Sequence, residues 1–168
     1  MRRRLVSILN RFPDLKRAFR GYVSLKGAEA GAEALRLRNS WQDDNLPQKQ
    51  RKLVDLQLHQ YRSGASIDVF DVFITALRAL PLQSSSASLL EIGCSSGFYS
   101  EVVDIAGLPI NYSGCDYSDA FIRLAKEKYP SINFSLADAT ALHYTDRSFD
   151  VVVSGCCLLH IPEYVKAV

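Results

Sequence analysis

Residues 89–97, Leu-Leu-Glu-Ile-Gly-Cys-Ser-Ser-Gly, decide how this chain folds. A short apolar run at 88–92 reads as a buried strand that stops at a turn of glycine and serine. From residue 97 the sequence Gly-Phe-Tyr-Ser-Glu-Val-Val reads as a helix, which Gly107 and Pro109 terminate. Strand, glycine loop and helix in that order suit a small polar ligand. Gly93 and Gly97 let the backbone bend and approach the ligand, and the helix start aims unpaired N–H groups at it.

Two known uses of such a loop differ in spacing. A dinucleotide fingerprint needs Gly-x-Gly-x-x-Gly, and here Ser95 and Phe98 stand at the second and third glycine positions. The segment instead runs acidic-x-Gly-x-small-x-Gly, with Glu91, Gly93, Ser95 and Gly97 in the slots. Downstream, 111–116 reads as a second strand ending in Asp116, 19 residues after Gly97. A third strand at 133–139 carries Asp138 near its end, and a fourth at 148–154 is followed by Gly155, Cys156 and Cys157. In an open α/β sheet ligands bind beyond the carboxyl ends of the strands, where all these positions fall.

This arrangement resembles the class I S-adenosylmethionine-dependent methyltransferases (the methyltransferase type 11 domain), with Ser95 standing where that family usually has glycine. The resemblance covers residues 89–168. It implies S-adenosyl-L-methionine as cofactor and a binding set of Glu91, Gly93, Cys94, Ser95, Gly97, Asp116, Tyr117, Asp138, Ala139 and Gly155. It further implies that Asp116 accepts hydrogen bonds from the ribose hydroxyls, a role suited to a carboxylate because it offers only acceptors. Asp138 and Ala139 are implied at the adenine edge. Taken singly, each acid reads as a helix cap or loop residue. The order and spacing of all four features carry the resemblance.

Working outward, 168 residues with 48% hydrophobic content make one globular domain with room for a core. No run approaches 18 apolar residues and no signal-peptide core is visible, so the expected location is cytoplasmic. Residues 1–40 hold ten Lys and Arg against three Asp and Glu, net +7, while 41–168 hold ten against fifteen, net −5. Basicity therefore belongs to the N-terminal segment, and the mildly acidic remainder argues against a nucleic-acid groove. Cys94, Cys115, Cys156 and Cys157 form no Cys-x-x-Cys pair and have no His at metal-ligand spacing, so no metal site is expected. They are expected around the pocket, as small buried fillers or as an oxidation-sensitive thiol cluster.

The chain divides into a basic amphipathic helical segment (1–40), a helical cap (41–80), a linker (81–88) and the N-terminal part of a methyltransferase domain (89–168). In the first, Leu5, Ile8, Leu9 and Phe12 have helical spacing among arginines. Residues 1–22 are thus a candidate for weak contact with an anionic membrane surface, or a helix docked on its own domain. In the cap, Pro47 opens a helix to about Arg62 with Leu53, Val54 and Leu58 on one side. A second helix presents Ile67, Phe70, Phe73, Ile74 and Leu77 and stops before Pro81. Arg62 is either solvated or within reach of the cofactor carboxylate. Ser118 is expected to cap a helix ending near Pro130, with Tyr117 and Ile122 as its hydrophobic staple.

The fold expected is α/β, a Rossmann-like doubly wound sheet preceded by N-terminal helices. Strands one to four of the family's seven, ordered 3-2-1-4-5-7-6, are placed, and a helix is expected to begin at 162–167. Strand four then forms an apolar edge lacking the usual protective charges. On that ground the sequence is expected to be the N-terminal part of a longer enzyme, or a truncated gene product. The function expected is methyl transfer to a small-molecule acceptor, with the catalytic residue unassigned. His160 is a candidate base or acceptor contact, or a packed histidine at a helix start. The alternatives are a cofactor-binding remnant without turnover and a nucleotide-dependent oxidoreductase.

Overall fold

The computed structural model of the protein describes residues 27–81 and 86–167. The amphipathic stretch at 1–22, with its expected membrane-surface contact, lies outside the described residues, as do linker residues 82–85. Helix α1 (Gly27–Ser40) buries none of its side chains. The packing that follows belongs to the compact unit Arg36–Val168.

Helices α2 (Leu46–Arg62) and α3 (Asp68–Ala79) form the cap. Pro47 sits in the first turn of α2, where its missing N–H costs nothing. The buried stripe of α2 is Arg51, Val54 and Leu58, at helical spacing. Leu53, expected on that side, lies about 100° round the helix from Val54 and is 59% exposed. On α3 the expected stripe is buried at Phe70, Phe73, Ile74 and Leu77, with Phe70 fully enclosed. Each such side chain contributes roughly 1.5–3 kcal/mol of apolar burial. The helix ends at Ala79 because Leu80, next to Pro81, is driven to extended backbone.

Four parallel strands follow: β1 (Ala87–Ile92), β2 (Ile110–Asp116), β3 (Asn133–Leu136) and β4 (Val151–Val153). Their order is β3-β2-β1-β4, as expected, with α4 (Phe98–Ile105) and α5 (Asp119–Lys128) as the crossovers beside β2. The register sets Leu89 opposite Tyr112 and Val151, and Gly114 opposite Glu91 and Phe134. Side chains alternate across β1. Leu89 joins the larger cluster with Phe70, Val102 and Ile122. Leu90 and Ile92 join a smaller one that Leu142, Tyr144 and Phe149 cover.

Three elements are shorter than the sequence pattern predicts. β3 stops at Leu136 because Asp138 turns the chain, accepting from the backbone N–H and the hydroxyl of Thr140. β4 spans three residues: Asp150 is tied to Ser88 through that serine's N–H and hydroxyl, and beyond Ser154 the chain turns at left-handed Cys156. In place of the helix expected from 162, two 3₁₀ turns form, at Leu158–His160 and Tyr164–Lys166. Ser118 does occupy the N-cap of α5, but its buried hydroxyl makes no bond among the described residues. The Asp116 carboxylate accepts from the Ser118 N–H instead. No described helix is long and apolar enough to cross a membrane.

Candidate functional site

The loop after β1 is built from alternating left-handed residues: Gly93 at φ 75°, Ser95 at φ 52° and Gly97 at φ 73°. Such backbone is easy for glycine and costs a serine roughly 1–2 kcal/mol. At Ser95 two bonds offset that cost. Its N–H donates to Asp116 Oδ2 at 2.8 Å, and its hydroxyl donates to Gln50 Oε1 at 2.7 Å. The rest of the loop is tied down by backbone. Gly93 and Cys94 both donate to the Cys115 carbonyl, and Gly97 donates to that of Cys94.

The glycines serve packing as much as approach to a ligand. A Cβ on Gly93 would run into the side chain of Cys157, and one on Gly97 into the ring of Phe134. Gly97 does not line the cavity at all, contrary to the reading from spacing. Neither does Cys94, whose fully buried thiol packs where a Cβ on Gly114 would stand.

Beyond the carboxyl ends of the strands lies a cavity of about 300 Å³, at the lower end of small-molecule sites (roughly 300–1,000 Å³). Of the residues expected from sequence, Glu91, Gly93, Ser95, Asp116, Tyr117, Asp138, Ala139 and Gly155 line it, and so does His160. Tyr117, over a third exposed, serves the wall. Two of the four cysteines, Cys156 and Cys157, reach the cavity, while Cys94 and Cys115 stay in the two core clusters. Arg62 does not line it, being held at 2.6 Å by Glu101.

The remaining wall came with no sequence signal. Arg38 stands in the last turn of α1 and Trp41 follows it, Gln50 and Val69 belong to the cap, and Phe98, Tyr99 and Phe121 are the inward aromatics of α4 and α5. None stands in a motif, and a helical period does not say which apolar residue faces a ligand. Trp41 stacks obliquely on His160, ring centroids 4.7 Å apart, and Arg38 bonds Glu163 at 2.8 Å with Asp138 at 3.9 Å.

Charge in the wall is mostly carboxyl. Burial pushes the Glu91 acid up to about 8, helped by the nearby Asp116 charge, while the bond it accepts from the Tyr112 hydroxyl pulls the other way. Burial also raises Asp116, against the lowering effect of the N–H groups it accepts. Asp138 is lowered, chiefly by the Thr140 N–H. Burial lowers His160 and so favours its neutral imidazole. Among the described residues, three carboxyl groups therefore face one guanidinium that Glu163 already engages. With apolar walls from Trp41, Val69 and Phe121, that acceptor set fits a ligand carrying positive charge, hydroxyls and a flat ring.

Residues 90–168 match the model of the methyltransferase domain family. The strand order and the acid-glycine loop agree with that match. The chain is 30% identical over 95 residues to a phthiotriol/phenolphthiotriol dimycocerosates methyltransferase of Mycobacterium leprae, covering 54% of this chain and 35% of that one. It is 33% identical over 94 residues to a demethylmenaquinone methyltransferase of Renibacterium salmoninarum, covering 56% and 37%. The match thus spans little more than a third of either relative. The YcgJ protein of Bacillus subtilis shares the fold, with TM-score 0.50 and 17% identity over 59% of this chain and 42% of that one.

Proposed function

We propose that this chain binds S-adenosyl-L-methionine in the cavity beyond β1, β2 and β4 and serves methyl transfer to a small-molecule acceptor. The observation that carries the reading is Asp116, a buried carboxylate at the end of β2 held by the N–H groups of Ser95 and Ser118. Held in that way, its remaining lone pairs are oriented toward a vicinal diol in the cavity. Asp138 and Ala139, beyond β3, take the adenine edge in this reading, and Glu91 faces the ammonium of the amino-acid tail. When bound, the cofactor supplies an electrophilic methyl group on a positively charged sulfur. The protein's share is position and dryness: apolar walls exclude water, and the carboxylates of Asp116 and Asp138 favour the cation. His160, kept neutral by burial beside Trp41, is the wall residue able to take a proton from an acceptor.

Calorimetry with S-adenosylhomocysteine and, separately, NAD tests the binding half. We expect S-adenosylhomocysteine to bind and NAD not to. The reverse would make the site a dinucleotide site. Transfer of labelled methyl from the cofactor to small hydroxylated or aromatic acceptors then separates an enzyme from a protein that binds without turnover.

A further inference from the structure

With the ribose at Asp116 and the adenine toward Asp138, the amino-acid tail is left the end of the cavity formed by Glu91, Gly93, Ser95 and Gln50. A zwitterionic tail brings an ammonium and a carboxylate. Glu91 answers the first, and the second needs a donor. The loop itself has few to give, since the N–H groups of Gly93, Cys94, Ser95 and Gly97 are all bonded within the protein. Among the described residues the nearby cations are committed too. Arg38 bonds Glu163 beside Asp138, Arg51 is buried against Asp55 and Tyr129, and Arg62 is held by Glu101. Neither Arg51 nor Arg62 lines the cavity.

Gln50 does line it. Its Oε1 accepts from the Ser95 hydroxyl at 2.7 Å, and among the described residues its amide makes no other bond. With the oxygen engaged, both amide N–H donors are left for the cavity. The next residue, Arg51, is 5% exposed and fixed by Asp55 and Tyr129, which sets the rotation of α2 and holds Gln50 inward. We propose that Gln50, held by Ser95, is a ligand-binding residue that donates to the carboxylate of the cofactor's amino-acid tail. The inference rests on the S-adenosylmethionine reading above. It also gives Ser95 a purpose that glycine could not serve: its side chain anchors the donor.

The test is calorimetry on the 168-residue chain with two ligands, S-adenosylhomocysteine and 5′-methylthioadenosine, which lacks the amino-acid tail. Gln50→Ala should weaken S-adenosylhomocysteine about 10- to 100-fold, the range of one hydrogen bond to a charged group. Its affinity for 5′-methylthioadenosine should stay within about twofold. Gln50→Glu, which sets a like charge against the tail, should weaken the first ligand at least as much and again spare the second. Ser95→Ala should lose part of the same affinity, and the double variant should be no weaker than Gln50→Ala alone. Equal loss on both ligands, with melting unchanged, would reduce Gln50 to a loop support and overturn the proposal. So would full retention of S-adenosylhomocysteine binding by Gln50→Ala. Failure of the folded wild-type chain to bind S-adenosylhomocysteine would instead overturn the cofactor reading, and this inference with it.

Discussion

β1 and β4 lie side by side in the sheet and both end at the cavity, but they are built to different depths. β1 is bonded on two sides, to β2 over six residue pairs and to β4 over three. Its residues Leu89, Leu90 and Glu91 are at most 2% exposed. Among the described residues β4 is bonded on one side only, and Val152 is 55% exposed. Past β1 the chain is pinned by backbone bonds to Cys115 and by Asp116, whereas past β4 it passes through exposed, left-handed Cys156 into two 3₁₀ turns. A strand paired on both sides can hold a strained loop in one shape, because opening it breaks two ladders. The half of the site with recognisable chemistry stands on β1 for that reason.

If this contrast holds, the largest effect should come from the loop after β1. Gly97→Val puts a branched side chain at φ 73° and into Phe134, and should destabilise the fold by about 3–5 kcal/mol. Denaturant unfolding measures it. A stable Gly97→Val protein would mean that the loop is not locked.

Next comes the buried acid of β1. Glu91 is held up at about 8 against its ordinary 4.5, so the folded state keeps a proton that the unfolded state has released between those values. Stability should then fall by a few kcal/mol as pH rises from about 5 to about 8, and flatten beyond. Glu91→Gln, which can still accept from Tyr112, should flatten that profile and match wild type near pH 5. A wild-type melting temperature that stays level or rises across the window would place a charged Glu91 in the folded protein.

Asp116→Ala should cost about 1–3 kcal/mol of S-adenosylhomocysteine affinity by calorimetry, because ligand hydroxyls lose their acceptor. Unchanged affinity in a folded variant would remove the ribose from this position. The smallest effect on stability belongs to β4. Val152→Lys should shift stability by no more than about 0.5 kcal/mol, while sedimentation velocity should show less self-association than wild type as the apolar edge gains a charge. A wild-type chain that stays monomeric at every concentration would show that this edge is not sticky and that the contrast with β1 stops at the ligand.

Much of the fold was legible because its signals are local. Alternation and apolar runs marked all four strands, and the strand order came from the family resemblance that the acid-glycine loop and the acids after β2 and β3 carry. The ends of β3 and β4 were not legible, since a strand stops where its partner stops. Here Asp138 turns onto Thr140 and Asp150 onto Ser88, 62 residues away. The 3₁₀ turns after β4 escaped for the same kind of reason: a helix-like pattern does not choose between helix types without its packing partner.

The candidate site divides along the same line. Left-handed backbone in a short loop, an acid at the end of a strand and a buried stripe on α3 are properties of neighbouring residues, so the sequence by itself determined the pocket floor at Glu91, Gly93, Ser95, Asp116 and Asp138. Only the tertiary structure decided that Gly97 and Cys94 turn away from the cavity and that Arg62 is spent on Glu101. It also decided the far walls, where Gln50 meets Ser95 across 45 residues and Arg38 meets Glu163 across 125. Those pairs share no period and no motif. They meet because the cap buries Phe70, Leu58 and Arg51 against the domain, and burial chooses the neighbours that the chain's order leaves apart.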